Sequence, residues 1–289
     1  MAKVVTVMNM KGGVGKTTVT MHLGGIISRY KFGGKFKKVL LIDYDPQFNL
    51  SQAFIPAKTY FKLEKERKTI LSVLQDNQND LDPFRLQVPG NEEPPKVIDI
   101  THKIYEYSRR QGGLDIIPAT LDLMYIALGQ SEKRIKPIEE RFNKFIVQCK
   151  KMYDLILIDC HPAGSIFTKT ALQNSDNVII PVTSQPYSER GVGLMIKFIE
   201  AKKLGGKSPQ PYILFNLIPP SANSSEEATI RKNPRFTDKC MTATLKNYKI
   251  FSEPFAGKGF VWRSKKPYKI RALRNLNGVA EEFIKKVEI

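Results

Sequence analysis

A chain of 289 residues, 42% hydrophobic and 26% charged, is long enough to bury one large core, and it holds no run of about 18 apolar residues able to cross a membrane. Cys149, Cys160 and Cys240 share no C-x-x-C spacing and His22, His102 and His161 are scattered, which argues against a disulfide scaffold or zinc site and for the reducing cytoplasm. The net charge of +18 points to polyanionic partners, nucleic acid or an anionic membrane surface.

The N-terminal "MAKVVTVMNM" does not read as a signal peptide. Its β-branched, apolar stretch Lys3 to Asn9 predicts a buried strand. The glycines of "KGGVG" then make a turn, and "KTTVTMHLGGIISRY" predicts a helix with Val19, Leu23, Ile26 and Ile27 on its inner face. "KKVLLIDYD" (Lys37 to Asp45) predicts a second buried strand ending in two aspartates. From Phe54 to Ile116 the pattern weakens. There "KLEKERKTILSVLQ" predicts a helix, and "DLDPFRLQVPGNEEPPKVID" reads as loop because of its prolines. This region, around 55–115, is expected to be an insertion on a single domain spanning 1–289. "LDIIPATLDL", "YDLILIDC", "DNVIIPVT" and "PYILFNLI" supply further strands. Continuous apolar runs separated by helices predict an α/β fold, a mostly parallel, twisted sheet with helices on both faces, and the opening order of strand, glycine-rich turn and helix is the context that a P-loop NTPase requires.

"MNMKGGVGKTT" is where chemistry is expected. A P-loop reads G-x-x-x-x-G-K-[ST]. Gly15, Lys16 and Thr17 fill the last three places, but Met10 stands at the first and a second lysine, Lys11, follows it. Gly12, Gly13, Val14 and Gly15 let backbone N–H groups approach phosphate oxygens, and the next helix adds the positive end of its dipole. Lys16 is expected to reach the β- and γ-phosphates and Thr17 to complete a Mg²⁺ shell. Ligands of a parallel sheet sit beyond the C-terminal strand ends, where Asp43, Asp45 and Asp159 all lie. Thr17, Asp43 and Asp159 are the expected metal-site residues, Asp159 holding Mg²⁺ directly or through its water, and Asp45 or Asp43 is expected to orient the attacking water.

"KGGVGKTT", "VLLIDYDPQFNLS", "LDIIPATLDL" and "YDLILIDCHPAG" together resemble the successive motifs of the ParA family of partition ATPases, a group related to MinD and nitrogenase iron protein. The resemblance runs from about Val4 to Leu217. It implies a deviant phosphate loop in which Met10 is permitted and Lys11 is the signature lysine, reaching the partner's nucleotide in an ATP-bound homodimer. It further implies Lys16 and Thr17 on phosphate and Mg²⁺, Thr18 on the α-phosphate, Asp45 on the catalytic water, Asp159 as the Walker B residue and Asn216 near adenine. Phe48 departs from the glycine of the family's "DPQGN", and His161 from the first proline of its "DxPP". His161 is expected to pack or cap, not to act as a base.

Basic residues gather around 231–274: Arg231, Lys232, Arg263, Lys265, Lys266, Lys269, Arg271 and Arg274 are the expected contacts to DNA phosphates. Phe260, Trp262 and Tyr268 among them read as core anchors. The resemblance implies non-specific DNA binding, nucleoid association in the cytoplasm, and slow ATP hydrolysis stimulated by a ParB-like centromere-binding protein or a cargo adaptor. No segment precedes the first strand, so the helix-turn-helix of some larger ParA proteins is not expected. The alternative is a MinD-like membrane ATPase ending in a lipid-inserting helix. However, "GVAEEFIKKVEI" carries three glutamates and reads better as a helix docked on the sheet through Val279, Phe283, Ile284 and Val287, so no membrane is expected.

Overall fold

A strand that is apolar on both faces needs cover on both. The structure, a computed structural model, describes residues 2–76, 93–107, 112–128, 132–161, 165–201, 208–220 and 225–289. Its strands are β1 (Lys3–Val7), β2 (Lys38–Tyr44), β3 (His102–Tyr107), β4 (Gly112–Ile117), β5 (Leu155–Cys160), β6 (Asn177–Val182), β7 (Gln210–Ile218) and β8 (Leu245–Lys246). Its helices are α1 (Lys16–Arg29), α2 (Asn49–Phe54), α3 (Ala57–Lys65), α4 (Leu71–Leu74), α5 (Val97–Ile100), α6 (Leu123–Leu128), α7 (Glu132–Lys150), α8 (Ile166–Gln173), α9 (Ser188–Ala201), α10 (Ser225–Lys232) and α11 (Lys269–Val287). The strands form one sheet in the order β3-β4-β2-β5-β1-β6-β7-β8, parallel throughout except where the edge strand β3 runs against β4.

The two-residue period of the strands sorts the core into two layers. Leu40, Ile42, Ile156 and Ile158 face a cluster completed by Phe142 and Phe145 of α7, Phe167 of α8 and Met195 of α9. Val39, Leu41, Leu155 and Leu157 face the other, completed by Val19, Leu23, Ile26 and Ile27 of α1 and by α11. The terminal helix buries Val279, Phe283, Ile284 and Val287 in this second layer, so its apolar stripe is spent on the sheet. Among the described residues no helix is long and apolar enough to cross a membrane.

Several elements differ from the sequence-based expectation. β1 stops at Val7 and β2 runs from Lys38 to Tyr44, each shorter than expected. The helix expected over "KLEKERKTILSVLQ" is two helices, α3 and α4, because Arg67 takes a left-handed φ of 58° that ends the first. Part of the expected loop is the short helix α5, and 77–92 lie outside the described residues. The region expected as an insertion ends inside the sheet: β3 is a strand missed by the sequence reading, and β4 pairs with the central strand β2.

The chain's last third closes over α1. Gly25 lets the Phe260 ring lie directly on the helix backbone, since a Cβ there would overlap the ring. Phe260 in turn stacks on Trp262 with centroids 4.4 Å apart, so both are packing anchors as expected. Tyr268 stacks on Tyr248 at 6.0 Å. His22, wholly buried on α1, donates from Nε2 to the Phe251 carbonyl oxygen at 2.8 Å, while Nδ1 is buried with no partner among the described residues. Burial lowers its pKa from 6.5 to about 4, against a smaller raising effect of the Phe251 bond. The unfolded chain therefore takes up a proton near pH 6.5 that the folded chain refuses until about pH 4. The stability this group confers is complete above that window and is lost as pH falls through it, on the order of 3 kcal/mol in all. In His22→Gln, which keeps a donor for Phe251, urea midpoints between pH 7 and pH 4 should fall less steeply than in the unsubstituted protein. Parallel pH profiles would contradict this account.

Candidate active site

The turn from β1 into α1 is built by two glycines in left-handed backbone, Gly13 (φ 74°) and Gly15 (φ 80°), the second being the N-cap of α1. This conformation strains a side-chain-bearing residue. At Gly15 there is also no room, because an added Cβ would strike the Asn216 amide. Two buried asparagines brace the loop from the sheet. Asn9 donates to the Pro181 carbonyl oxygen at 2.7 Å and accepts from the Lys11 N–H at 3.0 Å. Asn216, at the end of β7, donates to the Val14 carbonyl oxygen at 2.8 Å. Met10, where a standard loop has glycine, packs its side chain against the first core layer. Its place in the loop is anchored by burial and needs no special backbone.

The two lysines diverge. Lys16 Nζ turns back to the Lys11 carbonyl oxygen at 3.5 Å, over the loop it opens from. Lys11 is exposed and its Nζ donates to Gln185 Oε1 at 2.5 Å, on the loop that follows β6. Gly12 and Gly13 are exposed at the mouth, Val14 is buried beneath them, and Thr17 and Thr18 are half-buried on the first turn of α1.

The carboxylates meet at the C-terminal strand ends, where Asp43 of β2 and Asp159 of β5 are register partners. Asp159 is buried, and burial pushes its pKa up to about 7, with Asp45 adding to the rise and Thr17, Lys16 and Thr20 opposing it. Its Oδ1 accepts from the Thr20 hydroxyl at 3.4 Å; its Oδ2 is buried with no partner. Asp43 is raised well above the usual carboxylate range by burial and by the neighbouring Asp159. Its Oδ2 accepts from Ser51 N–H at 2.7 Å and Ser51 hydroxyl at 2.6 Å, tying it to α2. Asp45 is half-buried; its Oδ1 accepts from the Gln47 N–H at 2.9 Å and its own N–H donates to Asp43 at 3.4 Å. A small divalent cation with oxygen ligands fits this chemistry. Among the described residues the Oδ2 of Asp159 lacks a partner, the Thr17 hydroxyl lies near enough to lower the pKa of the same carboxylate, and Mg²⁺ takes few protein ligands beside phosphate oxygens. Asp43, also expected at the metal, commits its Oδ2 to the Ser51 N–H and hydroxyl.

Asn216, expected near adenine, is 1% exposed and spends its amide on the loop. Phe48 holds a left-handed φ of 43° at the position of the family glycine, which explains why glycine suits that place. Its ring stacks on Tyr60 with centroids 5.1 Å apart, an interaction glycine lacks. His161 is half-buried, its Nδ1 has no partner among the described residues, and its backbone N–H donates to the Tyr44 carbonyl oxygen at 3.4 Å.

Of the basic residues, Arg231 is a strut. It donates to Glu227, to the Met241 and Thr242 carbonyl oxygens and to Thr244, with its guanidinium 4.6 Å from the Phe215 ring centre. Lys232, Arg263, Lys265, Lys266, Arg271 and Arg274 are exposed and Lys269 is half-buried. Sequence reasoning missed Asn9, Gln185 and Ser51. Asn9 lies within the loop motif, Gln185 reaches Lys11 of that loop from far along the chain, and Ser51 closes the "VLLIDYDPQFNLS" stretch and bonds Asp43.

A strand, a glycine-rich turn ending in Gly-Lys-Thr, a helix and strand-end aspartates define a P-loop nucleoside triphosphatase. Residues 2–206 match the family model described as an AAA domain. The chain is 26% identical over 269 residues to the sporulation initiation inhibitor protein Soj of Bacillus subtilis, covering 90% of this chain and 91% of that one. It is 28% identical over 263 residues to the chromosome partitioning protein ParA of Caulobacter vibrioides, covering 89% and 85%. Among solved structures, a plasmid partition protein from Borrelia burgdorferi bound to AMPPNP aligns with a TM-score of 0.70 at 23% identity, over 99% of this chain and 100% of that one. McdA from Cyanothece aligns with a TM-score of 0.69 at 16% identity, over 98% and 100%. The chain belongs to the ParA family of partition ATPases.

Proposed function

We propose that this ATPase couples ATP-dependent pairing of two copies to non-specific DNA binding, and that hydrolysis releases it, so that a DNA molecule or another cargo is partitioned or positioned. The observation that carries the reading is the divergence of the two lysines. Lys16 stays over its own loop, whereas Lys11 extends from an exposed mouth where a second copy has access to it. Two such faces meeting about a two-fold axis lend each triphosphate a cation from the opposite chain. ATP then holds the pair together until its γ-phosphate is lost.

In hydrolysis a water oxygen attacks the γ-phosphorus, the bond to the bridging oxygen breaks, and ADP leaves with the electron pair. Mg²⁺ bound at Thr17 and Asp159 would supply charge neutralisation along the phosphates. Lys16 neutralises the β- and γ-oxygens, and Thr18 sits on the first helical turn toward the α-phosphate. Asp45, half-buried and fixed by the Gln47 N–H, orients the water. Positioning and charge make up most of such catalysis, and turnover is expected to be slow until a ParB-like protein or cargo adaptor engages the dimer. The exposed basic residues Lys232, Arg263, Lys265, Lys266, Arg271 and Arg274, with Lys269, support phosphate contact, and Arg231 is left out of that set because its donors are spent internally. The burial of the α11 stripe favours DNA over membrane.

Asp45→Ala is expected to bind ATP and Mg²⁺, retain duplex DNA in an electrophoretic shift and turn over at least about 100-fold more slowly than the unsubstituted protein. Retention by the unsubstituted protein should require ATP and weaken between about 50 and about 200 mM salt. ATP-independent retention, or normal turnover in Asp45→Ala, would overturn the cycle.

A further inference from the structure

The sequence reading placed the DNA contacts late in the chain, yet a second basic stretch lies at the end of α1. "RYKFGGKFKK", Arg29 to Lys38, has five basic residues and no acidic one. Phe32 and Lys35 close on each other through a pair of backbone hydrogen bonds (3.1 and 3.2 Å), and Gly33 and Gly34, both at positive φ, make the tip. Phe32 is buried and anchors the hairpin, leaving Lys31 and Lys35 exposed and Lys37 half-buried. Among the described residues none of these three lysines has an acidic partner. Lys38 differs, since it lies beside Glu106 and Asp115.

The packing joins this hairpin to the late basic segment. Tyr30 meets the Trp262 ring edge-on at 6.1 Å, and the Arg29 guanidinium lies 5.1 Å from the same ring. Trp262 is stacked on Phe260, which is seated on Gly25 of α1. Lys31 therefore follows one residue after a ring in contact with Trp262, and Arg263 follows one residue after Trp262 itself. Consecutive Cα atoms are about 3.8 Å apart, so cations from residue positions more than 200 apart are brought within a few side-chain lengths.

We infer that Lys31, Lys35 and Lys37 join Arg263, Lys265 and Lys266 in one composite phosphate-binding surface for duplex DNA, with Trp262 as the pin between its halves. The inference rests on the DNA-binding reading above and adds a binding surface to it. Exposed cations without acidic partners are the groups that release counterions when they meet a phosphate backbone. The hairpin springs from the C-terminal end of α1, and Lys16 and the phosphate loop occupy its other end, so the surface leaves the nucleotide face free for a second copy.

The test is the salt dependence of DNA retention by the full chain with ATP and Mg²⁺, for the unsubstituted protein, for K31A/K35A/K37A, for K31R/K35R/K37R and for R263A/K265A/K266A. In the hairpin alanine variant the slope of log affinity against log salt should shrink by about 0.9 for each phosphate contact removed, roughly 2 to 3 in total, with ATPase turnover unchanged. The arginine variant should keep the original slope. An unaltered slope in K31A/K35A/K37A, when R263A/K265A/K266A loses slope, overturns the composite surface and leaves the DNA-binding reading standing. A protein that retains no DNA in any form overturns both. Vesicles of about 30% anionic phospholipid form a parallel arm: loss of vesicle binding in the hairpin variant, with DNA retention intact, assigns the surface to membrane and overturns the proposal.

Discussion

Lys16→Ala is expected to remove measurable nucleotide binding. The ammonium lies within reach of its own loop's carbonyl at Lys11, over the cradle where the phosphates belong, and among the described residues no acidic side chain forms an ion pair with it, although its charge is felt by the nearby Asp159. A lysine on phosphate forms charge-assisted bonds in a site shielded by the loop, and truncating one partner of such a pair costs about 2–5 kcal/mol. That is roughly a 30- to 5,000-fold loss of affinity. Titration with a fluorescent ATP analogue measures it, and an affinity within about threefold of the unsubstituted protein would remove Lys16 from the cradle. The fold should be unaffected, because the residue is only half-buried and the loop is braced by Asn9 and Asn216.

Lys11→Ala should leave nucleotide affinity nearly unchanged and remove the ATP-dependent dimer. In a two-fold arrangement each chain gives one cation to the other, so one substitution deletes two contacts. At about 1.5–3 kcal/mol for each hydrogen bond to a charged group, the dimer weakens by roughly 10² to 10⁴-fold. Light scattering with a saturating non-hydrolysable analogue reads the result directly. Dimers that persist in Lys11→Ala at the same concentration would refute the cross-chain role. The Lys11–Gln185 bond is exposed and so is easily exchanged for a stronger acceptor on a second chain.

Long, uniformly apolar strands were legible because both faces of a parallel sheet are covered, and β1, β2, β5, β6 and β7 all carry such runs. β3 was not legible. An edge strand needs only partial burial, and "HKIYEY" shows neither a continuous apolar run nor a regular alternation of polar and apolar residues. The break between α3 and α4 had no signal either, because Arg67 bends the chain where neither glycine nor proline marks a turn. At the site, the loop and the aspartates were read from contiguous motifs. The contacts Asn9–Pro181, Lys11–Gln185 and Asn216–Val14 join residues 172, 174 and 202 positions apart, and nothing local in the sequence pairs them. Arg231 shows the converse: as part of a basic run it reads as surface, but its surroundings make it a strut.

The placement of β1 between β5 and β6 carries a consequence for biosynthesis. The phosphate cradle leaves the ribosome well before its flanking strands, which begin at Leu155 and Asn177, and before Asn216, one of its asparagine braces. A nascent chain that has not yet reached Leu155 can hold every glycine and lysine of the loop and still lack the walls that shape it. Competence to grip a nucleotide should therefore arrive abruptly during translation, once β5, β6 and β7 have followed the loop out.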